Sequence, residues 1–163
     1  MKKRWQEKLK DEPSFPKVRG LEKWFPCYNT VHKMGAEVGD SVILVNPSEV
    51  VAIMKLVPRG KLITIVDICR QIARNHDVKA CCSLTTGIFI MTAANAVEEA
   101  SNEGRSLGIS YWRTLKADGF LNEKYPGGQE AHRKLLEGEN FKVIARGKKY
   151  QVVDYEKYLM KLA

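Results

Sequence analysis

The 163-residue chain is 44% hydrophobic and 28% charged, enough apolar material for one domain with a real core and an added N-terminal segment. No run approaches the roughly 18 apolar residues that span a bilayer, and the basic N-terminus is not followed by a signal-type apolar region, so a soluble, cytoplasmic protein is expected and a membrane protein is not. The net charge of +8 is uneven: residues 1–24 carry 8 basic and 4 acidic groups, residues 25–104 carry 7 and 8, and residues 105–163 carry 12 and 7.

Residues 1–40 have weak periodicity, with Pro13, Pro16 and Pro26 interrupting Trp5, Phe15, Trp24, Phe25 and Tyr28, and are expected to form an irregular aromatic collar. Val42-Ile43-Leu44-Val45 predicts a short strand. Asn46-Pro47-Ser48-Glu49 supplies an N-cap, a proline at the first helical position and a first-turn carboxylate, so a helix should run to about Leu56. A second helix should start at Thr64, with Asp67 completing a capping box and Ile65, Ile68, Cys69 and Ile72 on one face. The longest periodic stretch, Thr86 to Glu103, places Phe89, Ala93, Ala96, Val97 and Ala100 at helical spacing and ends at Gly104. A short buried strand carrying Ile109 should follow.

Tyr125-Pro126-Gly127-Gly128 predicts a turn needing positive φ, then a helix ending near Glu139. Phe141–Ala145 and Tyr150–Val153 read as a hairpin with the basic tip Arg146-Gly147-Lys148-Lys149. Asp154 should cap a terminal helix whose apolar side is Tyr155, Tyr158, Leu159 and Leu162. Cys27 and His32 lie far in sequence from the adjacent Cys81-Cys82, and neighbouring thiolates rarely share one tetrahedral ion, so no metal is expected and four reduced thiols are.

Four stretches, Val57-Pro58-Arg59-Gly60-Lys61-Leu62-Ile63-Thr64, Ser110-Tyr111-Trp112-Arg113, Gly127-Gly128 and Leu135-Leu136-Glu137-Gly138-Glu139, resemble in order the DNA-binding domain of the alkylguanine-DNA alkyltransferases. The resemblance covers about Val57 to Glu139. It implies an α/β, winged helix-turn-helix domain over residues 46–163, with residues 1–45 as an N-terminal extension packed on it. In that family a Pro-Cys-His-Arg-Val motif carries the alkyl-accepting cysteine. Here Ser110, Tyr111 and Trp112 replace the first three residues and only Arg113 is kept, so transfer chemistry is expected to be absent and there is no catalytic residue or cofactor to assign. Such a chain is similar to the non-catalytic alkyltransferase-like proteins, although there the acceptor position is typically Trp rather than Tyr. The family's base-rotating aromatic is Ile65 here, its inserted arginine is Asn95, and its small helix residues are Glu98 and Glu99. Those carboxylates would repel phosphates unless they face solvent or pair with Arg105 and Arg113.

The resemblance implies a pocket formed by Tyr111, Trp112, Arg113 and Glu139, and a double-stranded DNA partner, bound without sequence preference, facing Thr64, Asn95, Arg105, Lys116, Arg146, Lys148 and Lys149. Basic flanks favour a polyanion, with a plain solvated basic surface as the alternative. Three functions are weighed: a DNA-binding sensor of alkylated or altered bases, an alkyl-transfer enzyme using Cys81 or Cys82, and a winged-helix scaffold that has lost DNA binding and meets a protein through Asn95, Glu99 and Asn102. Fold alone does not decide among them.

Overall fold

A computed structural model describes residues 4–162. After a 3₁₀ turn at Glu7–Leu9 come β1 (Lys17–Gly20), α1 (Tyr28–Lys33) and β2 (Ser41–Leu44). Then follow α2 (Pro47–Leu56), β3 (Ile63–Thr64), α3 (Ile65–Asn75), β4 (Ala80–Cys81) and α4 (Ser83–Asn102). The C-terminal third holds β5 (Thr114–Leu115), α5 (Gly128–Glu137), β6 (Val143–Arg146) and β7 (Lys149–Val152). It is a mixed α/β arrangement with three small sheets: β1-β2-β4, β3-β5 and β6-β7. Among the described residues no helix is long and apolar enough to cross a membrane.

The N-terminal region is more regular than an aromatic collar. β1 pairs antiparallel with β2, and β2 pairs parallel with β4, so residues 17–44 share a sheet with residues 80–81. Leu21, Cys27, Val31, Ala36 and Val42 form a small core with Ala80 and Cys82. Proline punctuation hid these elements because both strands are four residues long and α1 is six.

The capping box at Thr64 forms as expected: the Asp67 N–H donates to Thr64 Oγ1 (3.2 Å), and Thr64 N–H donates back to the Asp67 carboxylate (3.1 Å). Ile68, Cys69 and Ile72 then enter the main core with Ile43, Ile53, Ile90 and Ala93. Pro47 starts α2, but Asn46 does not cap it with its side chain; that amide accepts from Glu12 N–H (2.8 Å) and donates to Phe15 O, fastening the preceding segment instead. α4 begins three residues before Thr86, because Cys82 is its N-cap and Sγ accepts from Thr85 N–H. Gly104, at φ +77°, ends it.

Two expected elements are absent. Ile109 is buried without a strand, and the strand nearby is β5, paired parallel with β3. The C-terminal tail makes one 3₁₀ turn, Tyr155–Tyr158, rather than a helix, and Asp154 sits at φ 56° without a capping bond. The cause is a competing backbone pairing: Leu62 N–H donates to Tyr158 O (2.8 Å) and Met160 N–H donates to Leu62 O (2.8 Å), which draws the tail out beside β3. Gly147 and Lys148 form a two-residue turn between β6 and β7, with Gly147 at φ 65°.

Candidate nucleic-acid interface

Tyr111, Trp112, Arg113 and Glu139 converge, but as a packed node and not as the walls of an open pocket. Tyr111 and Trp112 lie on a 3₁₀ turn, and the Tyr111 ring is only 2% exposed, edge-on to Trp112 and to Tyr125 at centroid distances of 5.4 and 5.1 Å. Its hydroxyl donates to the Glu98 carboxylate (2.9 Å). Burial, with the Glu98 carboxylate beside it, pushes the phenol well above its ordinary range. Glu139 accepts from Trp112 Nε1, from Arg113 Nε (3.0 Å) and from Gly60 N–H (3.3 Å), while Arg113 Nη1 donates to Val57 O (2.8 Å). Burial works against this carboxylate's charge, but the donors of Arg113, Trp112 and Gly60 outweigh it and hold Glu139 below the usual carboxylate range.

His132 completes the node and was not singled out from the sequence. Its Nδ1 accepts from Asn122 N–H (3.1 Å), so Nε2 carries the proton and donates to Trp112 O (2.8 Å). Burial lowers its pKa to about 4. Every polar group in this cluster has a partner, and the arrangement offers neither a nucleophile nor a base to an incoming ligand.

The residues expected to face DNA are dispersed. Thr64 is buried in its capping box, with its hydroxyl donating to Asp67 (2.9 Å). Asn95 donates to Met91 O one turn back (2.9 Å). Arg105 donates to Gln6 (2.8 Å) and Glu103 beyond the end of α4. Lys116 pairs with Glu123 (3.2 Å), and Lys149 acts on the same carboxylate, so these two cations share one face. Arg146 donates to Gln151 (3.0 Å), and Lys148 and Lys149 are exposed at the hairpin tip.

This hairpin docks on the 117–120 loop through Gln151 Nε2, which donates to Asp118 O (2.6 Å), and through the Phe120–Gln151 bridge. Ala117 in that loop then borders a cleft of about 260 Å³ with Ile65 and Val66 of α3 and Ser83 and Leu84 of α4. The loop thus links the hairpin to the cleft at the starts of α3 and α4, which Pro26, Cys27, Thr30 and Met34 also line.

Two features of α4 departed from expectation. Glu98 and Glu99 neither face solvent freely nor pair with Arg105 and Arg113. Glu98 holds Tyr111, and Glu99 accepts from Trp5 N–H (3.0 Å), Gln6 N–H (3.2 Å) and Gln6 Nε2 (2.8 Å), with Arg4 beside it at 3.6 Å. The Asn95, Glu99 and Asn102 stripe is therefore partly covered. No Lys or Arg occurs from residue 80 to 104, and Leu84 and Ile88 are each 48% exposed. Their spacing of four was readable in the sequence; that this side lacks a neighbour was not. Cys81 and Cys82, weighed as alternative nucleophiles, are both buried, Cys82 at the wall of a cleft of about 410 Å³.

No protein-family model matches the chain, and no curated protein matches it in sequence. Two solved structures are similar in fold. One is Schizosaccharomyces pombe Atl1 in complex with damaged DNA containing O6-carboxymethylguanine, with a TM-score of 0.51 and 13% identity over 71% of this chain and 94% of that one. The other is an S. pombe ATL in complex with DNA, with a TM-score of 0.50, 13% identity and the same coverage. At this identity the likeness establishes a shared mixed α/β fold.

Proposed function

We propose that this protein is a non-catalytic, alkyltransferase-like DNA-binding protein of the cytoplasm that senses alkylated or otherwise altered bases in double-stranded DNA. The observation that carries the reading is the fold shared over 71% of the chain with a protein solved on alkylated DNA. In this reading residues 46–163 are the winged helix-turn-helix unit, with residues 1–45 packed on it, α3 and α4 as its two helices and β6–β7 as its wing. Lys116, Arg146, Lys148 and Lys149 meet phosphates, Thr64 and Asn95 set the surfaces of the two helices, and Arg105 lies at the far end. Phosphate contacts of this kind give sequence-independent affinity. Loss of the acceptor thiol at Tyr111 fits binding without repair.

Fluorescence anisotropy with duplexes that do or do not contain an O6-alkylguanine, over a series of salt concentrations, tests the reading. The expected result is salt-dependent binding that is tighter for the modified duplex, with no change in protein mass. Absence of salt-dependent binding to either duplex overturns it. A second reading, a scaffold for a protein partner, is favoured by the exposed Leu84 and Ile88 on a helix that carries no cation, and the same null result would leave it in place.

A further inference from the structure

The four cysteines fall into two pairs on opposite sides of β4. Cys81 turns into the main core, which also holds Cys69, and its Sγ lies 3.3 Å from Thr86 Oγ1. Cys82 turns the other way, into the N-terminal core cluster, where it packs in the same small group as Cys27. The two pairs differ in access. Cys69 reaches the cleft of about 260 Å³ at the starts of α3 and α4, but the void it shares with Cys81 is about 30 Å³, room for about one water. Cys27 and Cys82 both form part of the wall of a cleft of about 410 Å³, between Trp24, Phe25 and Leu84.

We propose that Cys27 and Cys82 form a reversible oxidation site, joined as a disulfide by peroxide, while Cys69 and Cys81 stay reduced. Cys82 is the attacking sulfur. It is the N-cap of the 20-residue α4, with Thr85 N–H at 3.5 Å and Thr85 Oγ1 at 3.3 Å, so negative charge that develops on sulfur is met by donors and by the helix dipole. Its thiolate attacks one peroxide oxygen, the O–O bond breaks, a sulfenic acid forms and water leaves. The Cys27 sulfur then attacks the Cys82 sulfur, the S–S bond forms, and the departing hydroxide takes the Cys27 proton as a second water. Two thiols lose two electrons and one hydrogen peroxide becomes two waters. The bond closes the chain from the N-cap of α1 to the N-cap of α4 and ties the edge of the N-terminal core to the surface that carries Leu84.

The test is titration of the full-length protein with hydrogen peroxide, alkylation of remaining thiols, and mass analysis before and after reduction. The expected product is two hydrogens lighter, retains two alkylatable thiols, melts at a higher temperature than the reduced protein and returns to four thiols with dithiothreitol. Since Cys81 and Cys82 share one tryptic peptide, variants assign the bond: Cys82→Ala and Cys27→Ala should each abolish it, and Cys81→Ala and Cys69→Ala should each keep it. A cross-link that survives Cys82→Ala, a Cys69–Cys81 bond, or stepwise oxygen addition to Cys82 without cross-linking overturns the proposal. If Cys82→Ala fails to fold, the Cys27→Ala and Cys81→Ala pair still decides.

Discussion

A phenol in place of a thiol would by itself leave an alkyl-transfer site short of a nucleophile, but Tyr111 is also out of reach, with its ring packed edge-on against Trp112 and Tyr125 and its hydroxyl committed to Glu98. Restoring the thiol should therefore not restore transfer. Tyr111→Cys, alone or with Trp112→His, is expected to gain no methyl group from a methylated-guanine oligonucleotide by intact mass, and to lose about 3 kcal/mol of stability from the cavity left by the ring. Glu139→Ala should cost about 3 kcal/mol in urea unfolding, because it strands the mostly covered Arg113 guanidinium, whereas the Arg113→Ala, Glu139→Ala double variant should cost less than the sum of the singles. His132 adds a pH dependence of definite sign. Above its unfolded pKa of 6.5 both states are neutral; as pH falls from 6.5 towards the folded value of about 4, only the unfolded chain takes the proton, so stability declines, by at most about 3 kcal/mol. His132→Gln should flatten that interval. The depressed Glu139 adds a second, lower window, since its contribution is present above the ordinary carboxylate range and is lost as pH falls through its folded pKa. Equal slopes for wild type and His132→Gln between pH 6.5 and 4 would remove the histidine from the account.

The turn before α5 gives a sharper prediction than its Gly-Gly composition alone allowed. Both glycines have positive φ, 82° at Gly127 and 74° at Gly128, but a Cβ on Gly127 would meet Ala131 Cβ at 2.6 Å, while one on Gly128 would meet nothing within 4 Å. Gly128→Ala should cost about 1 kcal/mol and Gly127→Ala clearly more, a difference that two thermal melts resolve. Local signals of this kind were what the sequence carried well. The Thr64–Asp67 box, Pro47 at the start of α2, Gly104 at the end of α4 and the Gly147 hairpin all depend on residues within four positions of each other. What stayed hidden was set by distant partners. β3 and β5 are two residues each and exist because Ile63 and Thr64 find Thr114 and Leu115. The tail after Asp154 had a helical pattern, yet pairing with Leu62 prevailed. At the site, the convergence of Trp112, Arg113 and Glu139 followed from the resemblance; that Tyr111 would be sealed and Glu98 would hold it could not, because burial is decided by the whole core.

At the scale of the molecule, Arg4 and Arg105 gather at the last turns of α4, a helix roughly 30 Å long, while Ala117, next to Lys116, lies at its start. The N-terminal segment lies over its last turns, where Arg4, Gln6 and Arg105 meet Glu99 and Glu103; the donors of that segment hold both carboxyls below their usual range, against some burial. Positive charge there is spent locally on the two acids. At the other pole Lys116 pairs with Glu123, and the loop that follows it carries the β6–β7 hairpin through Asp118 O and reaches the cleft at the starts of α3 and α4 through Ala117. A polyanion released from its counterions should gain more at the second pole than at the first. The combined Arg146→Ala, Lys148→Ala, Lys149→Ala variant is thus expected to weaken duplex binding and reduce the slope of log affinity against log salt by about 2–3, with stability within about 0.5 kcal/mol of wild type. Arg4→Ala should loosen the N-terminal segment and leave the slope unchanged. Equal losses of slope in both variants would mean that DNA runs the length of α4, over Asn95 and the covered acids, and that the hairpin face is not the interface by itself.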